Sequence, residues 1–226
     1  MNDNEARDGF KIYDTKEKVE VEVKKPKKSF LREVLNYLLI IVLAFALAQI
    51  VHRYLFTPVT VVGPSMMTGI RDKDKIFLSR LGKIERFDVI VFEYEHSEDP
   101  LIKRVIGLPG DYIRMENYKI YLNGNDEPLN EYYLDPNPIY TGLEYAKNNG
   151  VIVSFTLEDI CNNTENKVSC NINGEIKIPE GYYLVLGDNR NNSLDSRRIG
   201  LISKKQVLGE AKFILYPFDR FGKTFR

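Results

Sequence analysis

The chain has 226 residues, with 32 basic and 32 acidic side chains and a formal charge of zero, which excludes the basic excess expected of a nucleic-acid binder. Two histidines (His52, His96) and two cysteines are too few soft ligands for an evident zinc site, and no motif calls for a cofactor. Setting aside a tail and one span leaves roughly 170 residues, enough for one well-cored domain.

Residues 1–33 are dense in charge, include Lys24-Lys25-Pro26-Lys27-Lys28, and read as a solvated, disordered tail. The run from Val34 to Val51 is free of charge and just long enough to cross roughly 30 Å of hydrocarbon as a helix. Lysines crowd its start, while only His52 and Arg53 follow its end. The positive-inside rule therefore places residues 1–33 in the cytoplasm, an anchor over 34–53 in the bilayer, and residues 54–226 outside. Ala46-Leu47-Ala48 before Gln49 has the small-x-small pattern of a leader cleavage site, so a removable signal is the competing reading. The long charged lead and unbroken apolar run favour the anchor, and no amphipathic stripe marks a buried core helix.

From Thr57 onward the pattern turns to short β-type runs: Lys75–Leu78, Asp88–Phe92, Leu101–Ile106, Tyr112–Ile113, Tyr118–Leu122, Tyr182–Leu186 and Ala211–Leu215. Turn signals such as Pro109-Gly110-Asp111 and Asn123-Gly124 separate them. The expected fold is mostly β: a transmembrane helix, then an antiparallel sheet core with a smaller inserted β region. The insertion spans about 112–181, and its polar, irregular part over 125–178 should carry its own hairpins. Cys161 and Cys170 bracket a polar stretch, and outside the membrane they can form either a disulfide or two unpaired surface thiols.

Three segments can carry chemistry. In Leu101–Ile106 read as a strand, Lys103 shares a face with Leu101 and Val105, while Arg104 shares the other with Ile102 and Ile106. A lysine among apolar neighbours loses basicity until it can serve as a neutral base; the commoner use is to guard an exposed sheet edge. In Gly63-Pro64-Ser65-Met66-Met67, a serine leaves an apolar strand at a turn, where its oxygen can face a cleft or simply solvent. The paired methionines, with Tyr54-Leu55-Phe56 upstream, suggest an apolar rim touching lipid. The third segment, Gly187 to Arg198, follows an apolar strand and is dense in hydrogen-bonding groups of both signs. A calcium loop fails there, since Arg190 and Ser193 stand where an acidic ligand and a glycine are needed. A loop this rich suits the support of a site.

In order and wording these segments resemble the bacterial type I signal peptidases. The resemblance rests on Gly63-Pro64-Ser65-Met66-Met67, on Lys103-Arg104-Val105-Ile106-Gly107-Leu108-Pro109-Gly110-Asp111, and on Gly187-Asp188-Asn189-Arg190 with Ser193, Asp195 and Arg197. It covers about residues 30–217, takes in Phe87–Phe92, and is closest to the one-anchor members. It implies Ser65 as nucleophile, Lys103 as general base and Ser193 as the hydroxyl that orients the lysine. It further implies an Asp195–Arg197 ion pair, an Asp188–Arg104 pair, and an apolar surface facing the membrane. Secretory preproteins would be the substrates, cut after small residues and bound as an added β-strand.

Two departures stand out. The family usually reads Gly-x-Ser-Met-x-Pro-Thr, whereas Thr68-Gly69 follow Met67 here and the proline is missing, which frees backbone beside Ser65. Some members carry at Gly63 a serine whose hydroxyl completes the oxyanion hole, leaving the Ser65 N–H as the main donor here. The missing proline also keeps open a non-catalytic relative that assists assembly of surface proteins such as pili. A self-cleaving repressor with the same dyad would need a DNA-binding head, and residues 1–33 hold no helix-turn-helix pattern.

Overall fold

Helix α1 (Phe30–Leu55) forms over a stretch without glycine or proline, rich in leucine, isoleucine and alanine. The computed structural model describes residues 30–55, 57–67, 69–162 and 168–225. Of the tail expected to be disordered over 1–33, residues 1–29 lie outside the described residues, as do Thr68 and the side chains of 50–57, while Phe30–Glu33 already form the first turn of α1, ahead of the expected anchor start at Val34. Phe30–Gln49 forms a 20-residue helical window with none of its surface buried, which at 1.5 Å per residue is about 30 Å. A helix apolar on every side is unsuited to water, and this one is long and apolar enough to cross a membrane. The chain divides into two units near Phe45, and every strand belongs to the second.

The strands run in chain order as β1 (Thr57–Thr60), β2 (Lys75–Ser79), β3 (Val89–Phe92) and β4 (Leu101–Gly107). The insertion follows with β5 (Ile113–Glu116), β6 (Lys119–Leu122), helices α2 (Pro138–Thr141) and α3 (Leu143–Asn148), β7 (Phe155–Thr156), α4 (Leu157–Asn162), β8 (Asn171–Ile172) and β9 (Glu175–Ile176). The chain returns with β10 (Tyr182–Leu186), helix α5 (Ser196–Ile199), β11 (Ile202–Ser203) and β12 (Val207–Tyr216). The main sheet has seven strands in the order β1-β2-β12-β3-β4-β10-β11, and every neighbouring pair is antiparallel. The fold is the mostly β, antiparallel architecture expected, with the segments bearing Lys103 and Gly187 brought side by side as β4 and the end of β10.

Local details differ from the sequence reading for identifiable reasons. β12 runs well beyond Ala211–Leu215 because it serves two partners, β3 over Val207–Ala211 and β2 over Glu210–Tyr216, with register shifts inside each ladder. The β5–β6 hairpin turns at Asn117-Tyr118, both at positive φ (49° and 68°), and not at a glycine. The insertion carries hairpins, but also three helices of four to six residues, too short for a helical period to announce. It is not peripheral: Ile113, Met115, Ile120, Phe155, Leu157 and Ile160 share one buried core with Ile106, Leu184 and Leu186 of the main sheet. Met66 does not line a lipid-facing rim. It is fully buried with Val61, Ile70, Ile76 and Ile214, because the turn after β1 folds back onto the sheet.

Cys161 and Cys170 are joined, with Cα atoms 6.2 Å apart, and both are buried in the core shared by the insertion and the sheet. Closing a loop over a separation of nine residues removes unfolded-state entropy worth roughly 2–3 kcal/mol. We expect Cys161→Ala/Cys170→Ala to lose about that much stability in urea melts, with reductant reproducing the loss in the parent and leaving the variant unchanged.

Candidate active site

Lys103 lies on β4, laddered to Ile90 of β3 one residue before β10 joins the other side at Arg104, and it is only 2% exposed. The edge-guarding reading of this lysine therefore fails. Its Nζ donates to Ser65 Oγ at 2.9 Å and to the Ile102 carbonyl at 2.8 Å. Burial strips water from the amine and lowers its pKa from 10.5 to about 8, against the opposing pull of the Asp195 and Asp188 carboxylates. An amine so placed is neutral in about one molecule in ten at pH 7 and in half near pH 8, and it already holds the serine's oxygen.

Ser65 is presented by a turn fixed at both ends. Before it, Val61 exchanges hydrogen bonds with the 73–74 backbone (Val61 N to Asp74 O, Lys73 N to Val61 O). Gly63 then takes φ +88°, a left-handed conformation that other residues resist, and its N–H is held by Asp72 Oδ1 at 2.9 Å. Met67 N–H to Pro64 O and Ile70 N–H to Met66 O close the turn in helical fashion. Among the described residues, the Ser65 N–H donates to none, which leaves it available to an oxyanion.

The third wall is the loop after β10. Asn189 ties it to the serine turn, its N–H donating to Ser65 O (3.0 Å) and its Nδ2 to Pro64 O (3.2 Å). Gly187 permits the approach: a Cβ there would stand 2.2 Å from Ser193 Oγ and 2.7 Å from Ser65 O. Arg104 grips Asp188 through two hydrogen bonds, at 2.9 and 2.7 Å, and donates further to Phe87 O and Phe225 O. Burial would weaken the Arg104 charge, yet the Asp188 carboxylate more than compensates and raises its pKa. Arg197 grips Asp195 in the same way, at 2.8 Å through each of two nitrogens. Asp195 also accepts from the Gly187 N–H at 3.0 Å. Burial pushes its pKa up, but Arg197 and these donors outweigh it and hold the carboxyl below its usual range.

Ser65, Lys103, Arg104, Asp188, Asp195 and Arg197 thus converge, with Gly63 shaping the turn. Ser193 sits differently. The two hydrogen bonds of Lys103 go to Ser65 and Ile102, while the Ser193 hydroxyl packs against Gly187. That oxygen is buried and closes no hydrogen bond of regular geometry, although it is near enough to Asp195 to help keep that carboxylate ionised.

The sequence reading missed Glu131 and Tyr133. Glu131 pairs with Arg190, Tyr133 O–H donates to Glu131, and the Tyr133 ring covers the Arg104 guanidinium at 4.0 Å. Both lie in a polar stretch without motif; the one available signal was Arg190, a cation that needs a partner once its loop is buried. Among the described residues, no three His, Cys, Asp or Glu side chains gather as metal ligands.

A family model described as "Signal peptidase, peptidase S26" matches residues 34–216. The chain belongs to the signal peptidase family. Signal peptidase I of Bacillus amyloliquefaciens is 35% identical over 205 residues, 88% of this chain and 97% of the relative. Signal peptidase IB of Staphylococcus aureus (strain COL) is 34% identical over 201 residues, 86% and 95% of the two chains. A crystal structure of a signal peptidase I from Enterococcus faecalis V583 is 33% identical and covers 57% of this chain and 97% of its own, with a TM-score of 0.41. Signal peptidase membership makes the protein a serine peptidase.

Two outcomes test this geometry without a substrate pose. Gly187→Ala should lower processing at least tenfold while the melting temperature drops by only a few degrees, since the new Cβ displaces the serine turn; activity within twofold of the parent would show the contact to be slack. For Lys103, a folded pKa of about 8 against 10.5 unfolded means a stability penalty of up to roughly 3 kcal/mol. The sign follows from protonation: the penalty is complete below pH 8 and is relieved as pH rises toward 10.5. Lys103→Met should therefore be more stable than the parent below pH 8, with the gap closing by pH 10.5, as read from denaturant melts across that range.

Proposed function

We propose that the protein is a membrane-anchored endopeptidase that removes N-terminal signal peptides from secretory preproteins, with Ser65 as nucleophile and Lys103 as general base. The observation that carries this reading is the 2.9 Å hydrogen bond between the buried amine and the serine hydroxyl. Neutral Lys103 takes the Ser65 proton as Oγ attacks the scissile carbonyl, and the Ser65 N–H steadies the oxyanion. Collapse of the intermediate returns the proton to the departing amine of the mature chain and leaves an acyl-enzyme on Ser65. Water, deprotonated by the same lysine, then frees the signal peptide. Neither His52 nor His96 takes part.

The edge of β4 supports an added-strand mode of binding. β10 pairs with β4 only from Arg104 onward, so Leu101–Lys103 is laddered to β3 on one side. An extended substrate strand beside that edge brings its carbonyl toward Ser65, with shallow room for small side chains before the cut. Residues 1–33 lie in the cytoplasm, 34–53 span the bilayer, and the peptidase domain from 54 to 226 works outside, sharing the membrane with its substrate. The exposed aromatics Tyr216, Phe218 and Phe221 form an apolar surface suited to the lipid interface.

The detergent-solubilised protein should cleave a secretory preprotein at a small-residue site, and Ser65→Ala and Lys103→Ala should each lose on the order of a thousandfold or more in kcat. Because the protonated amine is inactive, the rate should fall about tenfold per pH unit below an inflection near 8. Undiminished cleavage by either variant would exclude the dyad, and no cleavage by the parent would favour the non-catalytic reading.

A further inference from the structure

The insertion holds the loop 187–198 at several points along its length. Asn191 accepts from Tyr118 O–H at 2.5 Å, donates its N–H to Tyr140 O at 3.0 Å and donates its Nδ2 to Ile139 O at 2.9 Å. Arg197 Nη1 donates to Ile152 O at 2.9 Å. Among these contacts one is charged on both sides: Glu131 faces Arg190 in a two-pronged pair, Nη2 to Oε1 and Nη1 to Oε2. The Arg190 side chain is wholly buried and that of Glu131 nearly so. Tyr133 O–H donates at 2.5 Å to Glu131 Oε1, the same oxygen that takes Arg190 Nη2, and the Tyr133 hydroxyl accepts from that Nη2 at 3.4 Å.

Arg190 is also joined to the reacting serine by a short chain of contacts. Its Nε donates to Gly187 O at 3.1 Å. Gly187 is the residue against which Ser65 O packs, and Asn189, between Gly187 and Arg190, holds that same carbonyl. The guanidinium is planar and each of its nitrogens is engaged: one edge on Glu131, the Nε on the loop's own backbone. Rotating it to satisfy a lost partner would release Gly187 O. Small displacements matter here, because attack on a carbonyl requires the nucleophile within a narrow range of distance and direction.

We infer that Glu131 is a positioning residue for the reaction: from the insertion it locks Arg190, and through Arg190 and Gly187 it fixes the loop edge on which the Ser65 turn rests. The inference deepens the proposed function and rests on Ser65 being the nucleophile. It gives the insertion a part in the chemistry that its irregular, polar sequence does not announce.

The test uses the full chain in detergent with a secretory preprotein, measuring kcat, KM and the melting temperature for Glu131→Gln, Glu131→Asp and the paired Glu131→Gln/Arg190→Gln, with Ser65→Ala as control. Glu131→Gln should lower kcat at least tenfold and leave KM within threefold, and Glu131→Asp should recover part of the loss. The paired variant buries no lone charge, so it should melt close to the parent and yet remain slow. That combination separates positioning from stability. A Glu131→Gln kcat within threefold of the parent overturns the inference, and so does a paired variant that regains full kcat along with its stability. If Glu131→Gln fails to fold, the paired variant decides by the same criterion. An active Ser65→Ala would bring down the dyad itself; an inactive Ser65→Ala beside a fully active Glu131→Gln would bring down only the inference.

Discussion

A lysine amine kept out of water is the constraint that organises this domain. An ammonium in that position would be opposed by burial, and the structure does not neutralise it with a direct ion pair. The two nearest carboxylates are instead engaged by arginines, Asp188 by Arg104 and Asp195 by Arg197. Each pair is close to neutral, so its carboxylate attracts the amine less than a free one would. The amine is left with a hydroxyl and a carbonyl as its partners, which is the environment a neutral base needs. The arginines in the motifs thus serve to occupy carboxylates as much as to support a loop.

The placement of β4 serves the same end. Lys103 stands where β4 is laddered to β3 alone, yet packing around its side chain keeps water away. With β3 on one side and β10 joining from Arg104 onward, β4 buries Lys103 and Arg104 on its two faces at once. One residue meets Ser65 and its neighbour grips Asp188, so a slip of one position along the strand would exchange their partners.

Much of this was legible in the sequence because it depends on local order. Alternation along Leu101–Ile106 separates Lys103 from Arg104, and the structure sends the first to Ser65 and the second to Asp188. The same holds for the short strands, whose apolar runs and turns mark them directly. Other features were hidden because their causes are tertiary. Met66 reads as an exposed apolar residue until the turn is seen to fold inward. The length of β12 follows from two partners distant in sequence. Glu131 carries no signature at all, since its partner is an arginine 59 residues away. Contacts over such separations leave no local pattern to read.

The close approach of Asn189 to Ser65 has a consequence for how the enzyme comes into being. The serine, the lysine and their supporting loop lie far apart along the chain, and the hydrogen bond from Asn189 N–H to Ser65 O completes the assembly. A chain still emerging from the ribosome exposes its serine and lysine long before residues 187–198 exist to brace them. The site is discontinuous in sequence: a fragment that stops before Asn189 holds both Ser65 and Lys103 but lacks the hydrogen bonds that tie the serine turn to its loop.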